Sequence, residues 1–375
     1  MKALKELIEL SKTPFGSAVA GQREEGKKVI GFFCPYVPEE IIYAGGMLPL
    51  RIRPAGCTET STADAYMSRL NCSFARSCLE FMSKGVFDFL DGVVFANSCD
   101  NVRRLYDILR AKHPYPFMHF ISVPHKADGN GPVAWYKDEL THFKESMESA
   151  FGVRISDEAL GDAIDVYNAT RRLLKRVYER RQEKMPPITG TESLSVVLAA
   201  TTIPKDRYNR LLRDLLEELE GREGISGYRA RVMIVGSEYD DPAYSQIIED
   251  LGGLVVTDAL CYGSRYFWEP VRAEKDLLDG IARSYLDRPS CPRMSDRVIQ
   301  RAAFIREMAD KFKVDGVILQ QIRYCDLWGG EAIYLQRTLE ESNIPLLSLE
   351  REYTLSSVGQ LKTRIQAFLE TIERG

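Results

Sequence analysis

The chain has 375 residues, room for two or three domains at about 150 residues each. Apolar residues make up 45% and charged residues 28%, and 50 Lys and Arg against 54 Asp and Glu leave a net charge of −4. That balance describes a globular protein with a sizeable core and speaks against a polybasic nucleic-acid binder, an acidic disordered chain and, with no apolar run of sufficient length, a membrane-spanning one.

Residues 1–12 are amphipathic, with Lys2, Glu6 and Glu9 and no signal-peptide apolar core, so a cytoplasmic location is expected. Residues 28–33 read as a strand. Pro38 opens and Gly45-Gly46 closes a short helix around Ile41 and Ile42, the usual asymmetry of helix ends, and Met47-Leu48 begins a second strand. Residues 71–78 start a helix running towards Gly85. Asp91-Gly92-Val93-Val94-Phe95 is short, apolar and β-branched, like a buried parallel strand. It leads to Cys99-Asp100 and a helix over 101–109. A further strand covers 117–123, and residues 128–132 read as a loop.

Helical patterns follow. Leu160, Ile164, Tyr167, Leu174 and Val177 form one stripe, which Lys184-Met185-Pro186-Pro187 terminates. Leu212, Leu215, Leu216 and Leu219 form another at i, i+3, i+4, i+7, ending between Gly221 and Gly224. Then the first pattern returns. Residues 231–235 read as a strand, Pro242 and Gly252-Gly253 bracket a helix, and 254–256 form the next strand. Asp315-Gly316-Val317-Ile318-Leu319 leads to Cys325-Asp326, and a last strand covers 344–349. This internal repeat predicts an α/β protein of two tandem Rossmann-like, flavodoxin-like parallel-sheet domains with a helical connector. The expected boundaries are an N-terminal helical segment 1–27, an α/β domain 28–130, the connector 131–227 and a second α/β domain 228–375.

The eight cysteines contain no C-x-x-C pair, so any ligand set must be gathered by the fold from distant segments. Cys99 and Cys325 sit just past the carboxyl ends of equivalent strands, where open α/β sheets bind ligands. Cys72 is available as a third thiol. Three converging thiolates suit an iron–sulfur cluster, zinc or Cu(I); the alternative is that these cysteines simply fill the core, where cysteine is common. Cys34, Cys57, Cys78 and Cys261 read as structural. Cys291 is either a fourth ligand or, before Pro292, the opening of a helix. No G-x-G-x-x-G or P-loop supports nucleotide binding, and His113, His119, His125 and His142 form no H-E-x-x-H. Ser264 and Arg265, after the second strand of the C-terminal half, are candidate substrate-binding residues, since a guanidinium binds phosphate or carboxylate bidentately. Glu59, after the corresponding N-terminal strand, is a candidate cleft acid or base. For Arg265 and Glu59 an ion-paired surface role is the alternative.

Taken in order, the residues resemble a known family, the 2-hydroxyacyl-CoA dehydratase and benzoyl-CoA reductase catalytic subunits. The similar stretches are Tyr36-Val37-Pro38-Glu39-Glu40-Ile41-Ile42 with Ala44-Gly45-Gly46-Met47-Leu48-Pro49, then Cys72-Ser73, then Asp91-Gly92-Val93-Val94 with Cys99-Asp100. Val235-Gly236-Ser237, Gly263-Ser264-Arg265-Tyr266, Asp315-Gly316-Val317-Ile318 with Cys325-Asp326, and the tail from Thr363 to Phe368 follow. The resemblance implies a [4Fe–4S] cluster held by Cys72, Cys99 and Cys325. It implies a homologous second subunit, in a heterodimer or a homodimer, and a separate ATP-dependent iron–sulfur activator that injects one electron. The substrate implied is an acyl-CoA, with no nucleic acid and no membrane as partner. In the dehydratases the electron makes a ketyl radical anion of the thioester, and water is eliminated, syn or anti. Losing a 2-hydroxyl means removing an unactivated hydrogen at carbon 3; radical formation lowers that barrier, so the cofactor carries the hard step. In the reductases electrons enter the ring of benzoyl-CoA, and a non-catalytic electron-relay subunit is a further alternative. The family also includes homodimeric double-cubane proteins with more cluster cysteines; this chain has enough cysteines in number, but the sequence does not show the extra placement expected there.

Overall fold

Two four-stranded sheets, every strand parallel to its neighbours, carry the architecture in the computed structural model, which describes residues 1–13, 16–355 and 358–373. The first sheet contains β1 (Val29–Phe32), β2 (Leu48–Arg51), β3 (Gly92–Ala96) and β4 (Met118–Ile121) in the order β2-β1-β3-β4. The second contains β5 (Ala230–Gly236), β6 (Gly253–Ala259), β7 (Gly316–Ile322) and β8 (Leu346–Arg351) in the order β6-β5-β7-β8. Equivalent strands occupy equivalent places, as the internal repeat predicts. The repeated Asp-Gly-Val has a physical reason. The Asp91 carboxylate accepts the Val29 amide at 2.9 Å, and the Asp315 carboxylate accepts the Arg231 amide at 2.7 Å. In each half this acid satisfies an amide at the start of the neighbouring strand.

Helices cover both faces of each sheet, so the strands are buried on both sides and read as continuous apolar runs. On the first sheet, Ile30, Phe32, Val94 and Ala96 pack on one side and Val29, Val93 and Phe95 on the other. The helix Asn130–Phe151 starts inside the loop expected over 128–132. Pro132 falls in its first turn, where backbone N–H groups have no intrahelical acceptor to lose, so the proline does not delay the helix.

The packing crosses the linear boundaries. The helix Lys2–Lys12 buries Ala3, Leu4 and Leu7 among Leu212, Leu215, Met233 and Val235, on the second sheet's side. Conversely, Val271, Ile281, Tyr285 and Met294 of the second half complete the core around Ile30, Val94 and Tyr136 of the first. Tyr285 also donates to Glu40 at 2.6 Å, and Arg171 pairs with the same carboxylate at 2.6 Å. Burial would raise the Glu40 carboxyl, but these two partners hold it below the usual carboxylate range.

The connector helix Gly190–Ala199 begins with a capping box in which Thr189 and Glu192 exchange hydrogen bonds at 3.0 Å. Thr189→Ala is expected to cost about 1 kcal/mol. A lower urea midpoint with an unchanged denaturant slope would show it.

Candidate functional site

The carboxyl ends of β1, β3, β5 and β7 face a cavity of about 240 Å³ between the two halves. In each sheet this is the point where the strand order reverses, where ligands bind in open α/β folds. Six of the eight cysteines line it: Cys34, Cys72, Cys99, Cys261, Cys291 and Cys325.

Three of these thiols share one local design. Cys72, Cys99 and Cys325 are the N-cap residues of the helices Ser73–Ser83, Asp100–Lys112 and Asp326–Glu340. Each therefore stands at the positive end of a helix dipole, beside amides that have no intrahelical partner. Burial pushes the Cys72 thiol up to about 12, and Cys325 adds to the rise, while the Ala75 and Phe74 amides pull the other way. Burial likewise raises Cys99, opposed by the Val102 amide and reinforced by Cys72, Cys325 and Cys291. Cys325 is raised by burial, opposed by the Ser237 hydroxyl and the Trp328 amide. The mutual influence of these thiols follows from their sharing one cavity. With no cation present they stay protonated at neutral pH, and a bound metal centre would deprotonate them. Among the described residues no group of three or more Cys, His, Asp or Glu side chains is arranged to hold a metal ion.

Asn101 ties the three segments together. Its Oδ1 accepts the Cys72 amide at 2.9 Å, and its Nδ2 donates to the Tyr324 carbonyl at 3.4 Å. Tyr324, next to Cys325, has φ of 65°, a left-handed conformation uncommon for a bulky residue and concentrated at functional sites. Gly236 ends β5 with φ of +143°, and a Cβ there would lie 1.9 Å from the Gln320 carbonyl oxygen. Only glycine allows β5 to come this close to β7. The next residue, Ser237, then accepts the Ile322 amide at 3.1 Å beside Cys325.

Two further contacts join the halves at the cavity. Arg51, 1% exposed, donates to the carbonyls of Phe33 at 2.9 Å and Cys261 at 2.6 Å and stacks on Tyr262. Its guanidinium lies 3.7 Å from Glu238, which accepts the Cys261 thiol at 2.9 Å. The loop 288–294, carrying Cys291, crosses from the second half to the first. Arg288 donates to the Pro35 carbonyl, and Arg293 to those of Val123 at 2.9 Å and Pro124 at 2.7 Å.

The structure thus brings together Cys72, Cys99 and Cys325. Arg265 also lines the cavity, donating to the Ser290 carbonyl at 3.2 Å. Ser264 is fully buried but turned into its own loop, where its amide and hydroxyl engage Asp258 at 2.7 and 2.5 Å. Glu59 is not among the cavity-lining residues; its side chain is 64% exposed and pairs with Lys84 at 2.9 Å. Cys57 and Cys78 are buried away from the cavity. Cys34 and Cys261, read from the sequence as structural, line it, and Cys291 does so from a loop preceding the helix Val298–Lys311 rather than opening a helix. The signal for Cys34 and Cys261 was present: each follows the end of a parallel strand, the rule that singles out Cys99 and Cys325.

The family described as 2-hydroxyglutaryl-CoA dehydratase, D-component, matches residues 34–372. The chain belongs to this family. The chain is 28% identical over 367 residues to "Putative dehydratase subunit YjiM" of Escherichia coli (strain K12), covering 93% of each chain. It is 26% identical over 372 residues to the (R)-phenyllactyl-CoA dehydratase beta subunit of Clostridium sporogenes, covering 99% of both. It is 26% identical over 357 residues to one of the subunits of benzoyl-CoA reductase from Thauera aromatica, covering 94% of this chain and 92% of that one. D-component membership supports a catalytic role in a dehydratase or related reductase complex. Among the described residues no helix is long and apolar enough to cross a membrane.

Proposed function

We propose that the chain is the iron–sulfur subunit of a 2-hydroxyacyl-CoA dehydratase, with Cys72, Cys99 and Cys325 ligating a [4Fe–4S] cluster. The observation that carries this reading is the meeting of three helix-capping cysteines, from three distant segments, in one interdomain cavity. When bound, the cluster supplies one-electron transfer at low potential, fed by an ATP-dependent iron–sulfur activator. The chain's own residues do the rest. The three helix N-termini stabilise thiolate charge. Phe33, Phe74, Val102, Ile322, Leu327 and Trp328 give the cavity an apolar lining that limits water. Arg51 and Glu238 lock the two halves at the cavity. The partners are an acyl-CoA and a homologous second subunit, in keeping with relatives named as subunits, and the location is cytoplasmic. The same residues serve a benzoyl-CoA reductase subunit or an electron-relay subunit.

A specific observation favours a second reading. Three more thiols, Cys34, Cys261 and Cys291, share the cavity, enough donors in one place for a second cube of the kind the double-cubane members hold. Iron and acid-labile sulfide measured on anaerobically purified protein separate the readings. About four iron atoms per chain support one cube and about eight support two. Absence of both iron and sulfide would overturn both. Turnover of 2-hydroxyacyl-CoA against benzoyl-CoA, with and without a co-purifying homologue, then assigns the activity.

A further inference from the structure

Part of the cavity wall carries buried positive charge that no carboxylate neutralises. Arg265 and Arg288 line it, and Arg293 stands close to Tyr36; they are 5%, 8% and 2% exposed. Among the described residues none of the three has an acidic oxygen within 4 Å. Their partners are backbone carbonyls, of Ser290 for Arg265, Pro35 for Arg288, and Val123, Pro124 and Ser98 for Arg293. Arg288 and Arg293 also stand 4.8 and 5.3 Å over the Tyr36 ring. The Arg265 Nε and the Tyr36 hydroxyl are buried with no hydrogen-bond partner. Arg265 lies beside Cys291. The cavity's carboxylates are engaged elsewhere: Asp100 is exposed and pairs with Arg103, Asp326 is exposed, and Glu238 faces Arg51 and Cys261. By contrast Arg171 and Arg301, equally deep, carry Glu40 and Glu331 as partners. A buried cation without a counter-ion is costly, and the remedy is an anion in the adjoining space.

We infer that Arg265 and Arg288 are the counter-charge of an anionic iron–sulfur centre in the cavity, and that they raise its reduction potential. This rests on the iron–sulfur reading above. Cluster plus thiolates carry net negative charge, and reduction adds one more; a fixed guanidinium nearby stabilises the reduced form more than the oxidised one. Removing the guanidinium therefore makes reduction harder.

The test is a dye-mediated potentiometric titration of the anaerobically loaded protein, followed by electron paramagnetic resonance. Arg265→Gln and Arg288→Gln are expected to keep their iron and to shift the midpoint to more negative potential, while Arg265→Lys, which keeps the charge, stays close to wild type. Unchanged midpoints in both glutamine variants at full iron content would overturn the inference and leave the cluster reading standing. A wild-type protein that takes up no iron would overturn the cluster reading itself. Should one glutamine variant fail to fold, the other still decides.

Discussion

Cys99→Ser is expected to lose most of its iron and all of its activity while remaining folded, and Cys72→Ser and Cys325→Ser are expected to do the same. All three positions are helix N-caps, and serine is among the best N-cap residues. The substitution therefore keeps or improves the local cap while removing the soft sulfur that iron selects. Loss of cluster is thereby separated from loss of fold, which few buried positions permit. Cys57→Ala and Cys78→Ala, outside the cavity, should retain full iron. Serine variants of Cys34, Cys261 and Cys291 have no effect on a single three-thiol cube but remove about half of the iron from a double one. Iron and sulfide analysis gives the answer, with circular dichroism confirming the fold. Full iron in Cys99→Ser would sink the ligand assignment.

Gly236→Ala should be among the most damaging single-methyl additions in the chain, costing more than about 4 kcal/mol. The added carbon would meet Gln320 backbone atoms at 1.9, 2.8 and 3.0 Å, with a φ of +143° that side chains rarely tolerate. No flexible neighbour can yield, because the obstacle is the adjacent strand. Relief requires β5 and β7 to part, and that displaces Ser237 and the Ile322 amide it accepts, next to Cys325. The expected result is little folded protein, and iron loss in whatever folds. A denaturation midpoint equal to wild type would contradict the geometry.

The strands and their duplication were legible because buried parallel strands are short unbroken apolar runs, and because Asp91 and Asp315 mark the same place twice. The three capping cysteines were legible from two facts: Cys99 and Cys325 follow equivalent strands, and Cys72 opens a helix. Cys291 was legible only as a choice between a fourth ligand and a helix opening, since it sits in an irregular loop whose position is set by Arg265, Arg288, Arg293 and Arg301 gripping backbone from several segments. No periodicity reports such contacts. Glu59 shows the limit of transferring the strand-end rule by analogy. It lies eight positions beyond Arg51, the last residue of β2, and its segment turns outward to Lys84. The exchange of elements between halves was equally hidden, because the apolar stripe of the helix Leu277–Asp287 says that it is covered, not by which half.

That exchange has a consequence for how the molecule comes into being. A ribosome that has released only the N-terminal half presents a core from which the helix Leu277–Asp287, seated on the helix Asn130–Phe151, is still missing, beside an opening helix, Lys2–Lys12, whose seat, the helices Gly190–Ala199 and Lys205–Glu220, is also still to come. Neither lobe can close in the order in which it is written. Cys325 emerges after both, so under the proposed iron–sulfur function a cluster could be completed only on a nearly finished polypeptide, and a gene cut between its two repeats would yield two pieces that each lack a part of their own interior.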